Sequence, residues 1–273
     1  MFGFLKQRRR RQLRGRPFPE AWRAIISRNV PFFARLPADD QRELLGHVQV
    51  FLAEKHFEGC AGLQLTDEMQ VTIATQACLL LLHRKTNYYP RLITILVYPS
   101  GYVVNQTRHL GSNIWEEGEE GRLGETGQRM GSLVLAWDAA KQGATDPSDG
   151  KNLVLHEFAH QLDFEDYAAD GVPALASRRD ELSWAEVMRT EFALLRATDE
   201  TGIPTLLDTY GATNPAEFFA VATEAFFERP RALRRRHPKL YGELQRFYRQ
   251  DPALYSSEPD SRGVEARGSP DPA

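Results

Sequence analysis

The stretch "NLVLHEFAHQLDFED", Asn152 to Asp166, carries two histidines four residues apart with a glutamate directly after the first. Residues i and i+4 lie on one face of an α-helix, one turn apart. On a helix, His156 and His160 therefore turn one nitrogen each toward a common point, and Glu157 stands beside that face. Two imidazoles on one tetrahedral ion leave room for another protein ligand and a water, with the glutamate in reach of that water. Read this way, H-E-x-x-H is a zinc-binding pair with a general base. It also constrains the fold, because two ligands do not complete such a site: a second element must cross this helix and bring a third.

The context supports a helix. No Pro or Gly interrupts Lys151 to Tyr167, and Asp149 and Gly150 are expected to open it. The strand expected just upstream, "GSLVLAWD" (Gly131 to Asp138), would suit a substrate-pairing edge. A third histidine does not follow at the HExxHxxGxxH spacing, since position 166 is Asp. The better source of a third ligand is the helix expected over "NPAEFFAVATEAFFE". There Asn214 suits the N-cap, Pro215 the first helical position and Glu217 a capping role of its own. Glu217 and Glu224 fall on one face but about 10 Å apart along the axis, so only one is expected to ligate. Spacing alone leaves both open. Tyr210, just before this helix, could donate a hydrogen bond to a developing oxyanion, and Asp163, one turn past His160, could orient a ligand imidazole.

The rest of the chain sets the frame. It has 273 residues, 42% of them hydrophobic, enough to bury a core without disulfide or metal staples. A net charge of -3 gives no whole-molecule attraction to nucleic acid. Cys60 and Cys78 stand far apart in no metal-binding spacing, which suits reduced thiols and a cytoplasmic setting. The start, with Arg8 to Arg11 in a row, lacks the apolar core of a secretory signal and is expected to be a mobile basic arm over residues 1–16. No segment reaches the ~18–20 apolar residues of a membrane span; the most apolar run, Val71 to Leu82, is expected to be a buried helix capped by Thr66 or Asp67. Helices are expected over Pro17 to His56 and strands around Arg91 to Val104. A long Gly- and Glu-rich loop follows from Asn105 to Met130, of which Gly111 to Met130 is the candidate cover for the site. A polar linker, "AAKQGATDPSDG", then leads into the histidine stretch. Helices, a few strands and helices again argue an α+β fold with a small mixed sheet. Residues 256–273 have the composition of a disordered tail.

Several segments in order, "FLAEKHFEGCAGLQLTDEMQVTIATQACLLLL", "LVYPSGYVV", "GSLVLAW", "NLVLHEFAHQLD", "ADGVPAL", "YGATNPAEFFAVATEAFFERP" and "LYGELQRFYRQDP", resemble the Mlc titration factor A family of bacterial zinc-dependent peptidases. The resemblance runs from about Pro17 to Pro252. It implies a gluzincin-type, zincin-like domain over residues 17–255, with a helical lobe over about 17–90 and a catalytic part over about 91–255. It implies one zinc per chain held by His156, His160 and Glu217, with Glu157 as general base and Tyr210 as an active-site tyrosine. The activity implied is aminopeptidase-like hydrolysis of peptide or protein substrates. A regulatory alternative is binding of a transcriptional repressor of the Mlc type. The stretch "FEDYAADG" departs from the shorter glycine-bearing turn of the family, so the substrate loops there are expected to differ.

Overall fold

The computed structural model describes residues 2–109, 115–122, 124–126 and 131–256. Its first helix, α1 (Phe2–Arg14), occupies the segment expected to be a mobile arm. The physical reason is Arg10. Helical spacing leaves Arg8, Arg9 and Arg11 exposed but turns Arg10 inward, where it is 1% exposed. Its guanidinium donates to both Glu54 carboxylate oxygens at 2.7 Å and to Asn87, and lies 4.6 Å from the Tyr88 ring centre. A run of arginines does not reveal which of them has a partner 44 residues away.

The helical lobe follows as α2 (Glu20–Asn29), α3 (Ala38–Glu54) and α4 (Asp67–Leu79). The Thr66 hydroxyl caps α4 by accepting the Met69 amide hydrogen. Ile26, Leu44, Val48, Phe51 and Ile73 bring the three helices into one core.

The strands are β1 (His56–Gly59), β2 (Thr94–Tyr98), β3 (Tyr102–His109), β4 (Trp115–Arg122), β5 (Gly124–Thr126) and β6 (Ser132–Ala136). β1, β2 and β6 are parallel, in register Phe57 to Ile95 to Leu133, and β5 runs antiparallel along the far side of β6. The sheet order β1-β2-β6-β5 makes it mixed, as expected of an α+β fold. The strand over Gly131 to Asp138, expected as an edge, is instead internal; the edge beside it is β5. β1, with one buried apolar residue in "HFEG", carries too little pattern to be read as a strand. Part of the expected Asn105 to Met130 loop is the hairpin β3–β4, pairing Asn105 with Glu119. The remaining parts of the proposed cover, 111–114, 123 and 127–130, lie outside the described residues, as do tail residues 257–273.

The expected linker begins as a helix, α5 (Trp137–Thr145), and leads to α6 (Leu153–Asp163), the histidine helix. α6 buries Val154, Leu155, Phe158, Ala159 and Leu162, with the Phe158 ring 4.8 Å from Tyr89 and 5.7 Å from Phe51. Beyond it come α7 (Arg178–Thr201), α8 (Pro215–Glu228), α9 (Pro230–Arg236) and α10 (Pro238–Tyr248). α8 is buried from Phe218 to Glu228 on every side, as befits a central helix. Trp184 of α7 meets Phe219 at 5.5 Å and Tyr248 of α10 stacks on Phe226 at 5.6 Å.

Gly171 locks the segment between α6 and α7. Its amide donates to Asp163 of α6, and its carbonyl accepts the Trp184 indole N–H, both at 2.9 Å. Its φ of +79° favours glycine, and a Cβ there would stand 2.4 Å from the Pro215 carbonyl oxygen at the start of α8. Gly171→Ala should therefore cost about 2–4 kcal/mol, from strain plus a backbone clash. Gly202→Ala, at φ +68° with nothing near the new methyl, should cost only about 1 kcal/mol. Urea unfolding of the two variants checks this; equal losses would show that the Pro215 contact carries no weight.

Candidate metal centre

The start of α6 is set by Asn152, not by Asp149 or Gly150. Its side-chain oxygen accepts the Leu155 amide at 3.0 Å and its side-chain amide donates to the Gly143 carbonyl of α5 at 2.9 Å. α8 begins as the sequence suggests: Asn214 accepts the Glu217 amide at 3.0 Å, with Pro215 at the first helical position.

Where α6 and α8 cross, His156, His160 and Glu217 converge. His156 Nε2 stands 3.2 Å from His160 Nε2 and 3.0 Å from Glu217 Oε2, and His160 Nε2 stands 3.3 Å from the same oxygen. Donors held about 2.0–2.1 Å from a tetrahedral zinc stand about 3.3 Å apart. The three atoms thus form one face of such a tetrahedron, and two imidazoles with one carboxylate are a donor set that suits zinc. Among the described residues this is the one cluster of its kind.

Glu224 touches the same imidazole from behind. Its Oε1 accepts from His156 Nδ1 at 2.8 Å, and its other oxygen accepts the Asn152 amide. With the Nδ1 proton committed to Glu224, the Nε2 lone pair is aimed at the triangle. The two glutamates, expected to compete, straddle one ring. Glu228, a turn further along α8, accepts the Gly150 amide at 3.0 Å, and burial pushes its carboxyl up to about 9. The ionisation of His156 follows from its neighbours. Burial would push the imidazolium down, but Glu217 and Glu224 hydrogen-bonded at its two nitrogens prevail and hold it up at about 10. Burial works against the Glu217 carboxylate too, and its bonds to His156 and His160 prevail, bringing it to about 2.

Glu157 is buried, 5% exposed, on the same helix. Tyr210 lies on a 3-10 turn (Thr209–Ala212), its ring 6.1 Å from that of His156 and 56% exposed. Lys151 and Asp208, paired at 2.9 Å, tie this turn to the residues before α6. Asp163 is fully buried and bonded to the Gly171 amide, with its second oxygen unpaired, and burial raises its carboxyl to about 6. Orientation of an imidazole, considered for Asp163, is supplied by Glu224 on His156. The sequence carried a signal for this: residues 217, 224 and 228 are acids spaced seven and four apart along one face of an otherwise apolar helix.

Residues 4–249 match the family described as Glucose-regulated metallo-peptidase M90. The chain is also 43% identical over 246 residues to the protein slr2042 of Synechocystis sp., covering 90% of each. It is 33% identical over 227 residues to Mlc titration factor A of Yersinia pestis, covering 82% of this chain and 83% of the relative. Mlc titration factor A of Yersinia pseudotuberculosis matches to the same extent. With a match that takes in most of α1, both metal-centre helices and the whole of α10, the chain belongs to the glucose-regulated metallo-peptidase M90 family.

Proposed function

We propose that this metallopeptidase is a zinc enzyme of aminopeptidase-like specificity, with His156, His160 and Glu217 as its ligands. The observation that carries the reading is the near-equilateral donor triangle of 3.0–3.3 Å with Glu157 on the same helix. A zinc ion bound there supplies Lewis-acid chemistry, polarising a peptide carbonyl and lowering the pKa of water. Glu157 takes the proton of the attacking water and passes it to the departing amine. Tyr210, exposed beside His156, donates its hydroxyl hydrogen to the oxyanion. Glu224 keeps the Nδ1 proton in place, so that the His156 ring presents one tautomer in one orientation. Among the described residues β5 is the edge of the sheet, packed beside α6, and such an edge suits an extended peptide backbone. No described helix is long and apolar enough to cross a membrane, and both cysteines are free, which supports a cytoplasmic peptidase.

The similarity to Mlc titration factor A favours a second reading, capture of a transcriptional repressor of the Mlc type. Capture of that repressor by the Glu157→Gln variant at wild-type strength would assign binding to a surface separate from the chemistry.

Glu157→Gln should lower peptide turnover by about 10²–10⁴-fold while the bound metal stays near one per chain. Full turnover in that variant would rule out the mechanism. Glu224→Gln can accept from His156 Nδ1 or from the Asn152 amide, but not from both. Its zinc affinity should fall by about 10–100-fold in a chelator competition. Metal and proton compete for His156 Nε2. In metal-free protein the raised His156 pKa gives stability that is whole below about 6.5 and lost as pH climbs through about 10. The depressed Glu217 gives stability present above about 4.5 and lost as pH falls through about 2. Zinc binding at pH 7.5 should therefore release about one proton, read by calorimetry in buffers of differing ionisation enthalpy.

A further inference from the structure

A second polar site lies apart from the metal centre, in a cleft bounded by residues 174–176, the first turns of α7, the end of α10 and the segment after α4. Its volume is about 260 Å³. Four cations line it, Arg84, Lys85, Arg246 and Arg249, against two acids, Asp180 and Glu243. Glu243 is already engaged: it pairs with Arg246 and accepts the Ser183 hydroxyl hydrogen. Asp180 is held at the start of α7 by the Ser177 hydroxyl. Among the described residues, Arg84, Lys85 and Arg249 have no carboxylate within ion-pair distance, so the cleft carries an uncompensated positive charge.

Arg84 is the unusual member. Its guanidinium carbon lies 4.1 Å from the centre of the Phe247 ring, and its Nη1 is buried with no hydrogen-bond partner. A buried donor without a partner is costly, and buried donors in folded proteins are nearly always satisfied. Burial also pushes the Arg84 guanidinium down. Glu165, an acid acting on it through space, is itself pushed up by burial. Leu175, Trp184 and Phe247 give the cleft an apolar side.

We propose that this cleft is a binding site for a small oxyanion, a phosphate- or carboxylate-bearing molecule, with Arg84, Lys85 and Arg249 as its counter-charges. The planar fork of a guanidinium matches both groups, and a stacked arginine is already oriented to bind. The volume admits the anionic group with a body of a few carbons, a small molecule and not a polymer. None of the metal-centre residues lines the cleft, so the site stands whether or not the peptidase reading holds.

The test is calorimetric titration of inorganic phosphate, and in a second arm citrate, into the full-length metal-loaded protein, with ionic strength held constant by chloride. One saturable site is expected, and whichever anion binds more tightly identifies the class. Lys85→Ala combined with Arg249→Asn, asparagine being chosen because Arg249 has φ +55°, should weaken it by about tenfold or more. Arg8→Ala with Arg9→Ala on the exposed face of α1 should leave it unchanged. Arg84→Met removes the unpaired charge. Its melting temperature without anion should hold or rise, while the anion-induced rise seen in wild type should vanish. No saturation with either anion, or an equal response in the Lys85/Arg249 variant, overturns the proposal. A full anion-induced rise in Arg84→Met does so as well.

Discussion

The imidazole of His156 is gripped on both nitrogens by carboxylates two turns apart on α8, Glu217 at Nε2 and Glu224 at Nδ1. Holding one small ring between two side chains of a neighbouring helix fixes the separation, rotation and register of α6 against α8 together. The consequences spread outward. The oxygen of Glu224 not used by His156 binds the Asn152 amide, and Glu228 binds the Gly150 amide, so α8 also satisfies backbone donors leading into α6. At the other end, Asp163 and Gly171 bring the end of α6 to the start of α8. The crossing is thus pinned at one end by hydrogen bonds, closed at the other by the packing of Gly171 on Pro215, and filled between by apolar side chains.

Such a cluster is poorly balanced on its own. Glu157, Glu217 and Glu224 bring three carboxyl groups around two imidazoles in a largely buried place. An imidazolium at His156 compensates part of this, which is why its proton is held so firmly. A divalent cation at the donor triangle compensates more and replaces a proton that the two facing Nε2 atoms would otherwise share. The electrostatics and the distances, two consequences of the same contacts, favour the same occupant.

What was legible in the sequence follows from range. The HExxH helix, the Asn214 cap and the α+β order rest on spacings within a few residues, and the chain forms them as read except that Asn152, not Asp149 or Gly150, opens the first. The roles of Glu217 and Glu224 could not be separated by spacing, because the question was which of them faces a ring on another helix. The resemblance to a family favoured Glu217, and the geometry adds that Glu224 has a task of its own. The basic start was misread for the same reason: the Arg10 partners, Glu54 and Asn87, are far away in sequence. β1 and the β3–β4 hairpin, short or rich in Gly and Glu, have no apolar alternation to betray them, because their pairing is dictated by neighbouring strands.

Two arginines in this chain, Arg10 buried and Arg84 half-buried, make an internal comparison. Arg10 and Arg84 both stack on an aromatic ring, Tyr88 and Phe247 respectively. Arg10 is fully engaged, by a bidentate carboxylate and an asparagine that contributes both its side chain and its carbonyl, and it docks a helix. That is what a guanidinium with a structural task looks like in this fold. Arg84 has the stacking and a buried, unsatisfied Nη1 without the carboxylate, and it lines a cleft where, among the described residues, Lys85 and Arg249 also lack a carboxylate partner. A purely structural arginine in that position would be expected to recruit an acid as Arg10 did. Glu243, which lines the same cleft, is instead committed to Arg246 and Ser183. A net charge of -3 over the whole chain hides this segregation. Glu157, Glu217 and Glu224 gather where a cation is needed, and Arg84, Lys85 and Arg249, without carboxylate partners among the described residues, line a space the size of a small anion.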